Sequence, residues 1–166
     1  VAPVLVTLHR PSNTDDPVQL QRLFDAIARI ARPVLWPMHP RTRDAMAQHG
    51  VRLPEHVHMV APLGYTALVQ ALASAHAVVT DSGGLQKEAY WLGTPCLTVR
   101  PDTEWMETVH SGWNRLVDVR TGDLAELVES VSRPAGARDA YGAAGAADRV
   151  VRAIEQRFEG RARAAA

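Results

Sequence analysis

Apolar runs of four or five residues alternate along this chain with stretches whose apolar positions recur every three to four residues. Val4-Leu5-Val6-Thr7-Leu8 is the first run, apolar on both sides as a strand covered by helices on each face must be. Asp15-Asp16-Pro17 then supplies an acidic cap with proline at a helix start, and Leu20, Leu23, Phe24, Ile27 and Ile30 fall on one helical stripe. Pro33 to Trp36 predicts a second strand, about Arg41 to Gln48 a short helix stopped at Gly50, and His56 to Ala61 a third strand. Tyr65 to Ser74 predicts a helix with Leu68, Ala71, Leu72 and Ala75 on one side. Ala77 to Thr80, Pro95 to Val99 and Arg115 to Val119 predict strands four to six, with a helix reaching Leu92 after the fourth. Arg138 to about Arg157 predicts a final helix weakened near Gly142 and Gly145, and residues 159–166 are expected to form a disordered tail.

Strands separated by helices of about ten residues predict an α/β fold, a doubly wound parallel sheet of Rossmann-like type over residues 1–158. Ligands of such sheets bind beyond the carboxyl ends of the strands. That rule gathers five loops on one rim: Leu8-His9-Arg10, Met38-His39-Pro40-Arg41, Pro62-Leu63-Gly64-Tyr65, Asp81-Ser82-Gly83-Gly84 and Arg100-Pro101-Asp102-Thr103-Glu104. Three carry basic residues. The fourth turns a buried strand through two glycines into a helix, which leaves backbone N–H groups unpaired at the positive end of the helix dipole, a fit for phosphate. Glu88 lies one helical turn beyond Gly84 and offers a carboxylate to whatever the phosphate carries.

Bulk properties narrow the picture further. A length of 166 residues is that of one domain, and 46% hydrophobic with 22% charged residues is ordinary globular composition. The 18 basic and 18 acidic residues cancel, so the anion-seeking rim is a local feature, and neither a nucleic-acid partner nor a membrane surface is predicted. No apolar run approaches the roughly 20 residues that span a bilayer. Cys96 is the sole cysteine, which excludes an internal disulfide and fits a reducing, cytoplasmic setting. Lys87 is the sole lysine, every other basic residue being arginine. The chain begins Val1-Ala2-Pro3, directly before a strand, and reads as a piece of something longer.

In this order, the rim loops resemble the UDP-N-acetylglucosamine 2-epimerase family. The matching strings are Thr7-Leu8-His9-Arg10-Pro11-Ser12-Asn13 (family T-x-H-R-x-E-N), His39-Pro40-Arg41, Pro62-Leu63-Gly64-Tyr65 and Asp81-Ser82-Gly83-Gly84-Leu85-Gln86-Lys87-Glu88-Ala89 (family D-S-G-G-x-Q-E-E-A). Gly93-Thr94-Pro95, Arg100, Thr103-Glu104, Glu107 and Gly112-Trp113-Asn114 continue the match, which runs from about residue 3 to 120. The resemblance implies the C-terminal half of a GT-B two-domain fold, with the N-terminal partner domain absent from this chain and the full-length protein a homodimer. It implies that Ser82, Gly83 and Gly84 hold the diphosphate of a UDP-sugar and Glu88 the ribose hydroxyls. Pro62, Tyr65 and Leu68 would flank the uracil. His9 would assist the leaving phosphate, with Arg10 and Arg100 adding charge, and Arg10 with His39 would face a second nucleotide-sugar. No cofactor and no metal are implied. The reaction implied is interconversion of UDP-GlcNAc and UDP-ManNAc by elimination and re-addition of UDP, with the proton-moving carboxylates in the absent half, in the service of cell-surface polysaccharide or secondary-metabolite sugar supply. Three positions depart from the pattern: Ser12 and Lys87 each stand where the family has Glu, and Trp105 stands where T-E-R-P-E has Arg.

Other readings compete at several residues. The two glycines also suit a plain strand–helix turn, and Glu88 also suits an exposed helical position. Ser82 lacks the G-x-S-x-G elbow of a nucleophile. His56 and His58 point to one strand face without further ligands, so no metal is predicted there. Cys96 reads as a small buried hydrophobe. Trp91, Trp105 and Trp113 suit either a stacking platform or packing. At the level of function, the alternatives are the donor-binding domain of a GT-B glycosyltransferase, a hydrolysing epimerase, and a non-catalytic nucleotide-sugar-binding domain.

Overall fold

A computed structural model describes residues 1–50 and 52–164, with side chains described through Arg157. Strands β1 (Val4–Thr7), β2 (Val34–Pro37), β3 (Val57–Val60), β4 (Ala77–Thr80), β5 (Cys96–Thr98) and β6 (Asn114–Leu116) form one sheet in the order β3-β2-β1-β4-β5-β6. Every ladder is parallel. The strand order reverses direction at the β1–β4 pair, and a crevice opens at the carboxyl ends of strands on either side of such a switch.

Helices cover both faces, as the two-sided apolar strands require. α2 (Pro17–Ala28) starts as its sequence predicts, with the Asp16 side chain accepting from the Val18 N–H and Pro17 in the first turn. Its stripe of Leu20, Leu23, Phe24 and Ile27 packs with Val4, Val6, Trp36, Leu124 and Val128 on one face of the sheet. Full burial of each such side chain stabilises the fold by about 1.5–3 kcal/mol. On the other face, Leu72 of α4 (Tyr65–Ser74) and Leu85 and Ala89 of α5 (Gly83–Leu92) pack with Leu5, Val78 and Cys96. Burial pushes the Cys96 thiol up to about 12, so it remains a protonated, inert filler.

The structure departs from the sequence reading in its short elements. α1 (Pro11–Thr14), α6 (Met106–His110) and α7 (Leu124–Ser130) are too short to display a helical period, and none was predicted. α7 is held by its cap: the Asp123 side chain accepts from the Ala125 and Glu126 N–H groups. β6 begins at Asn114 and ends at Leu116, earlier than the predicted 115–119. α3 (Pro40–Gln48) falls where it was predicted. The last helix, α8, begins at Ala146, not Arg138, because Gly142 and Gly145 take φ of 72° and 88°, left-handed values that break a helix. Its backbone stays helical to Ala164, through most of the stretch expected to be a disordered tail; residues 165 and 166 lie outside the described residues. Among the described residues no helix is long and apolar enough to cross a membrane.

Candidate functional site

The switch point brings the loops after β1 and β4 together, and one buried side chain ties them. Asp81 is fully buried at the end of β4. Its carboxylate accepts from the backbone N–H of His9 at 3.1 and 3.0 Å, from the backbone N–H of Arg10 at 2.9 Å and from Asn13 Nδ2 at 3.0 Å. The His9 ring adds Nδ1 at 3.3 Å. A carboxylate that receives these donors can only accept, so Nδ1 carries the ring proton and Nε2 is left with its lone pair away from Asp81. His9 keeps 41% of its side chain exposed, so that nitrogen is available to a ligand. Arg10 is aimed by a second contact, its Nε donating to the Asp81 carbonyl at 2.8 Å. Below them, the Thr7 and Thr80 hydroxyls meet at 2.7 Å and close the strand ends.

Ser82 caps α5. Its Oγ accepts from the Leu85 N–H at 3.5 Å, and its own N–H donates to Thr80 Oγ1 at 3.0 Å. Gly83 and Gly84 form the first turn, where helical geometry provides no internal acceptor for their N–H groups. The two glycines do different things. A Cβ on Gly83 would collide with a carboxylate oxygen of Glu104 and lie 3.6 Å from Trp105 Nε1, whereas a Cβ on Gly84 would meet nothing within 4 Å. Neither takes a positive φ. At 83 the end of the Glu104 side chain fills the space a Cβ would take, whereas the space over 84 is open. Glu88, one turn along, makes no side-chain hydrogen bond or ion pair among the described residues.

The loop 103–105 that leans on Gly83 is fixed by a buried polar network the sequence reading did not find. Gln86, fully buried, accepts from Thr103 Oγ1 at 2.6 Å and Asn114 Nδ2 at 3.0 Å and donates to the Ser82 carbonyl at 3.3 Å. Asn114 also donates to Thr108 Oγ1 at 3.0 Å and accepts from Thr98 Oγ1 at 2.7 Å. Ser82, Gln86, Thr103 and Asn114 are residues of the quoted strings, but nothing in a string says which members face a ligand and which brace the turn. Gln86→Leu is expected to lower stability by about 2–4 kcal/mol, because the Thr103 hydroxyl and the Asn114 amide lose their acceptor in a buried setting. Urea denaturation of the variant measures this, and a parent-like midpoint would contradict the network's role.

The remaining predicted residues divide. Arg100 is 10% exposed and its charge is engaged, with Nη1 2.9 Å from Glu104 and Nη2 3.5 Å from Asp102. A hydrogen bond from its own backbone N–H, with Arg100 and Arg10 beside it, holds the Glu104 carboxyl below the usual carboxylate range. His39 stacks at 5.4 Å from the His9 ring, and its Nδ1 accepts from the Arg41 N–H at 3.2 Å as the cap of α3. Pro62 and Tyr65 stand exposed at the rim, whereas Leu68 is partly buried against the second core cluster and so has a packing role as well. Lys87 and Trp105, two of the three departures from the family pattern, touch each other: Nζ lies 4.4 Å from the indole centroid. A cleft of about 340 Å³ opens beside Arg100, between Asn13, Arg22, Val117 and Arg120, and none of the glycines lines it.

Residues 2–155 match the family model described as UDP-N-acetylglucosamine 2-epimerase. The chain belongs to the UDP-N-acetylglucosamine 2-epimerase family. A Pseudomonas aeruginosa relative, UDP-2,3-diacetamido-2,3-dideoxy-D-glucuronate 2-epimerase, is 43% identical over 74% of this chain and 35% of its own length. UDP-N-acetylglucosamine 2-epimerase of Methanocaldococcus jannaschii is 30% identical over 90% of this chain and 43% of its own. The crystal structure of the Methanocaldococcus jannaschii enzyme in complex with UDP-GlcNAc and UDP superposes with a TM-score of 0.82 at 29% identity, over 94% of this chain and 46% of that one. The chain therefore spans less than half the length of these relatives. Family membership accounts for the order of the rim loops, and the Rossmann-like sheet is that of its structural neighbours.

Proposed function

We propose that this chain is the UDP-binding half of a non-hydrolysing UDP-N-acetylglucosamine 2-epimerase, which interconverts UDP-GlcNAc and UDP-ManNAc by eliminating UDP and adding it back. The observation that carries this reading is the open space over Gly84 at the positive end of α5, set at the β1–β4 switch point of a family whose solved member was crystallised with UDP-GlcNAc and UDP. The diphosphate then lies on the Gly83 and Gly84 N–H groups with Arg10 beside it, and Glu88 accepts from the ribose hydroxyls. His9, its tautomer fixed by Asp81, turns Nε2 to a water that donates to it and to the phosphate side of the breaking C–O bond. Pro62 and Tyr65 flank the uracil, and Arg10 with His39 faces a second nucleotide-sugar.

In this reading the carboxylates that move the C2 proton come from an N-terminal domain across the cleft, the whole enzyme works as a cytoplasmic homodimer, and its product supplies surface polysaccharide. A second reading concerns the sugar. The 43% identity to an epimerase named for a diacetamido glucuronate favours a substrate with a C6 carboxylate.

Titration of the chain with UDP tests the common part of both readings. UDP is expected to bind and to raise the melting temperature, and Glu88→Ala to weaken binding about tenfold at unchanged apo stability, since its carboxylate supports nothing in the fold. Absence of any UDP-dependent shift would sink the reading. Product analysis with the longer protein separates UDP-ManNAc, free ManNAc and a uronate product.

A further inference from the structure

The protein places an anion of its own at the positive end of α5. A carboxylate oxygen of Glu104 stands against Gly83, in the space a Cβ would take, and the other lies 2.9 Å from Arg100 Nη1. A hydrogen bond from its own backbone N–H, with Arg100 and Arg10 beside it, holds the carboxyl below the usual carboxylate range, so it stands there as a full negative charge. Helix-end N–H groups and two arginines are the partners a phosphate would ask for. Here a side chain of the chain itself has them first.

That contact can be undone without disturbing the fold. Glu104 keeps 46% of its side chain exposed and Arg100 only 10%, so the carboxylate can swing into water while the guanidinium stays where it is. The backbone on both sides of Glu104 is tied down. Thr103 Oγ1 donates to Gln86 at 2.6 Å and accepts from the Trp105 N–H at 3.1 Å, which leaves only the Glu104 side chain to move. Move it must if a diphosphate is to lie on the Gly83 and Gly84 N–H groups. Two anions at one helix end repel each other, and the partly buried setting weakens the screening that would let them coexist.

We propose that Glu104 is a built-in competitor of the nucleotide: its carboxylate holds the Gly83 side of the cradle in the free chain, and the diphosphate displaces it and takes over Arg100. This rests on the UDP-binding reading and adds to it a residue that sets affinity from inside the protein. The diphosphate enters over Gly84, where space is open, and Glu104 rotates out as the phosphate reaches Gly83. Arg100 exchanges a carboxylate for a phosphate and is paired in both states. The exchange accounts for an arginine that the resemblance gives to the UDP-sugar and that the structure shows paired with Glu104. It also sets a threshold. A ligand has to offer the arginines more than the carboxylate did, which a diphosphate does and a neutral nucleoside does not.

Glu104→Gln keeps the shape and an oxygen for Arg100 and removes the charge. By calorimetry it is expected to bind UDP about tenfold more tightly than the parent, and inorganic pyrophosphate by a similar factor, with uridine unaffected. Glu104→Ala, which clears the space as well, is expected to change UDP affinity in the same direction. The sign separates the roles, because a residue that only braced the loop, or that held the ligand, would weaken UDP when changed. Arg100→Met added to Glu104→Gln is expected to lose the gain, since the cation to be handed over is gone. UDP affinity equal to the parent's or weaker in both Glu104 variants, at a parent-like urea midpoint, overturns the competitor while the UDP site stands. A double variant that keeps the gain overturns the hand-over of Arg100. No UDP binding by the parent and by Glu104→Gln alike overturns the UDP-binding reading itself.

Discussion

Asp81→Ala is expected to lower stability by about 3–5 kcal/mol and to abolish measurable UDP binding. The carboxylate it removes is fully buried and accepts from the His9 and Arg10 backbone N–H groups and from Asn13 Nδ2. Removing the carboxylate leaves those part-buried donors without their acceptor, and each unsatisfied donor costs about 1–3 kcal/mol before relaxation. Relaxation is itself the functional damage. The loop 9–13 must swing to find other acceptors, which takes His9 and Arg10 away from the glycine turn and frees the His9 ring from its fixed tautomer. Urea unfolding and UDP calorimetry read the two effects separately. Unfolding at the parent midpoint would show that Asp81 does not hold the switch point together.

Gly84→Val gives the opposite profile: an unchanged fold and a UDP affinity lower by at least about tenfold. Position 84 is in the first turn of α5 with negative φ, and a Cβ there meets nothing in the protein. Valine in a helix is no worse than glycine, so apo stability stays within about 0.5 kcal/mol. A diphosphate resting on the Gly83 and Gly84 N–H groups needs the volume that the isopropyl group fills. The variant therefore separates a glycine kept for a ligand from one kept for the fold. Undiminished UDP affinity in a stable Gly84→Val protein would place the nucleotide elsewhere. Gly83 is a less clean test, because a side chain there would displace the end of Glu104 and the ion pair it makes with Arg100.

Much of this site is readable from residue order because its geometry is local. The Ser82 cap, the glycine turn and the Glu88 offset each follow from contacts within one turn of α5, and helical geometry is the same in any protein. The strand and helix sequence follows from apolar runs of four or five positions and from helical stripes of about ten. α1, α6 and α7 escaped because four to seven residues give too few periods to distinguish a helix from a loop. The C-terminal helix was extended too far back because alanine-rich composition outweighed two glycines whose left-handed φ is a tertiary choice.

Partnership at a distance was not readable. The resemblance gives His39 to a second nucleotide-sugar, and the structure shows its Nδ1 as the cap of α3. Leu68 was assigned to the uracil, and it also packs into the core. The resemblance makes Arg100 a contact of the UDP-sugar, and the structure shows its guanidinium paired with Glu104. Residue order alone leaves Trp91, Trp105 and Trp113 between stacking and packing. Trp113 proves to be core, while Trp91 and Trp105 close with Tyr141 around Lys87.

By itself, then, the sequence determined the family, the parallel sheet and the glycine turn that opens α5, because these depend on residue order, on short-range periodicity and on local backbone geometry. Only the tertiary structure decided that Asp81 clamps the β1 loop from 68 to 72 positions away, that Gln86 braces the loop over Gly83, and that a lysine and a tryptophan 18 positions apart form one unit beside the cradle. Those relations come from the strand order β3-β2-β1-β4-β5-β6, which makes sequence-distant strand ends adjacent, and from the burial that removes water as a competing partner.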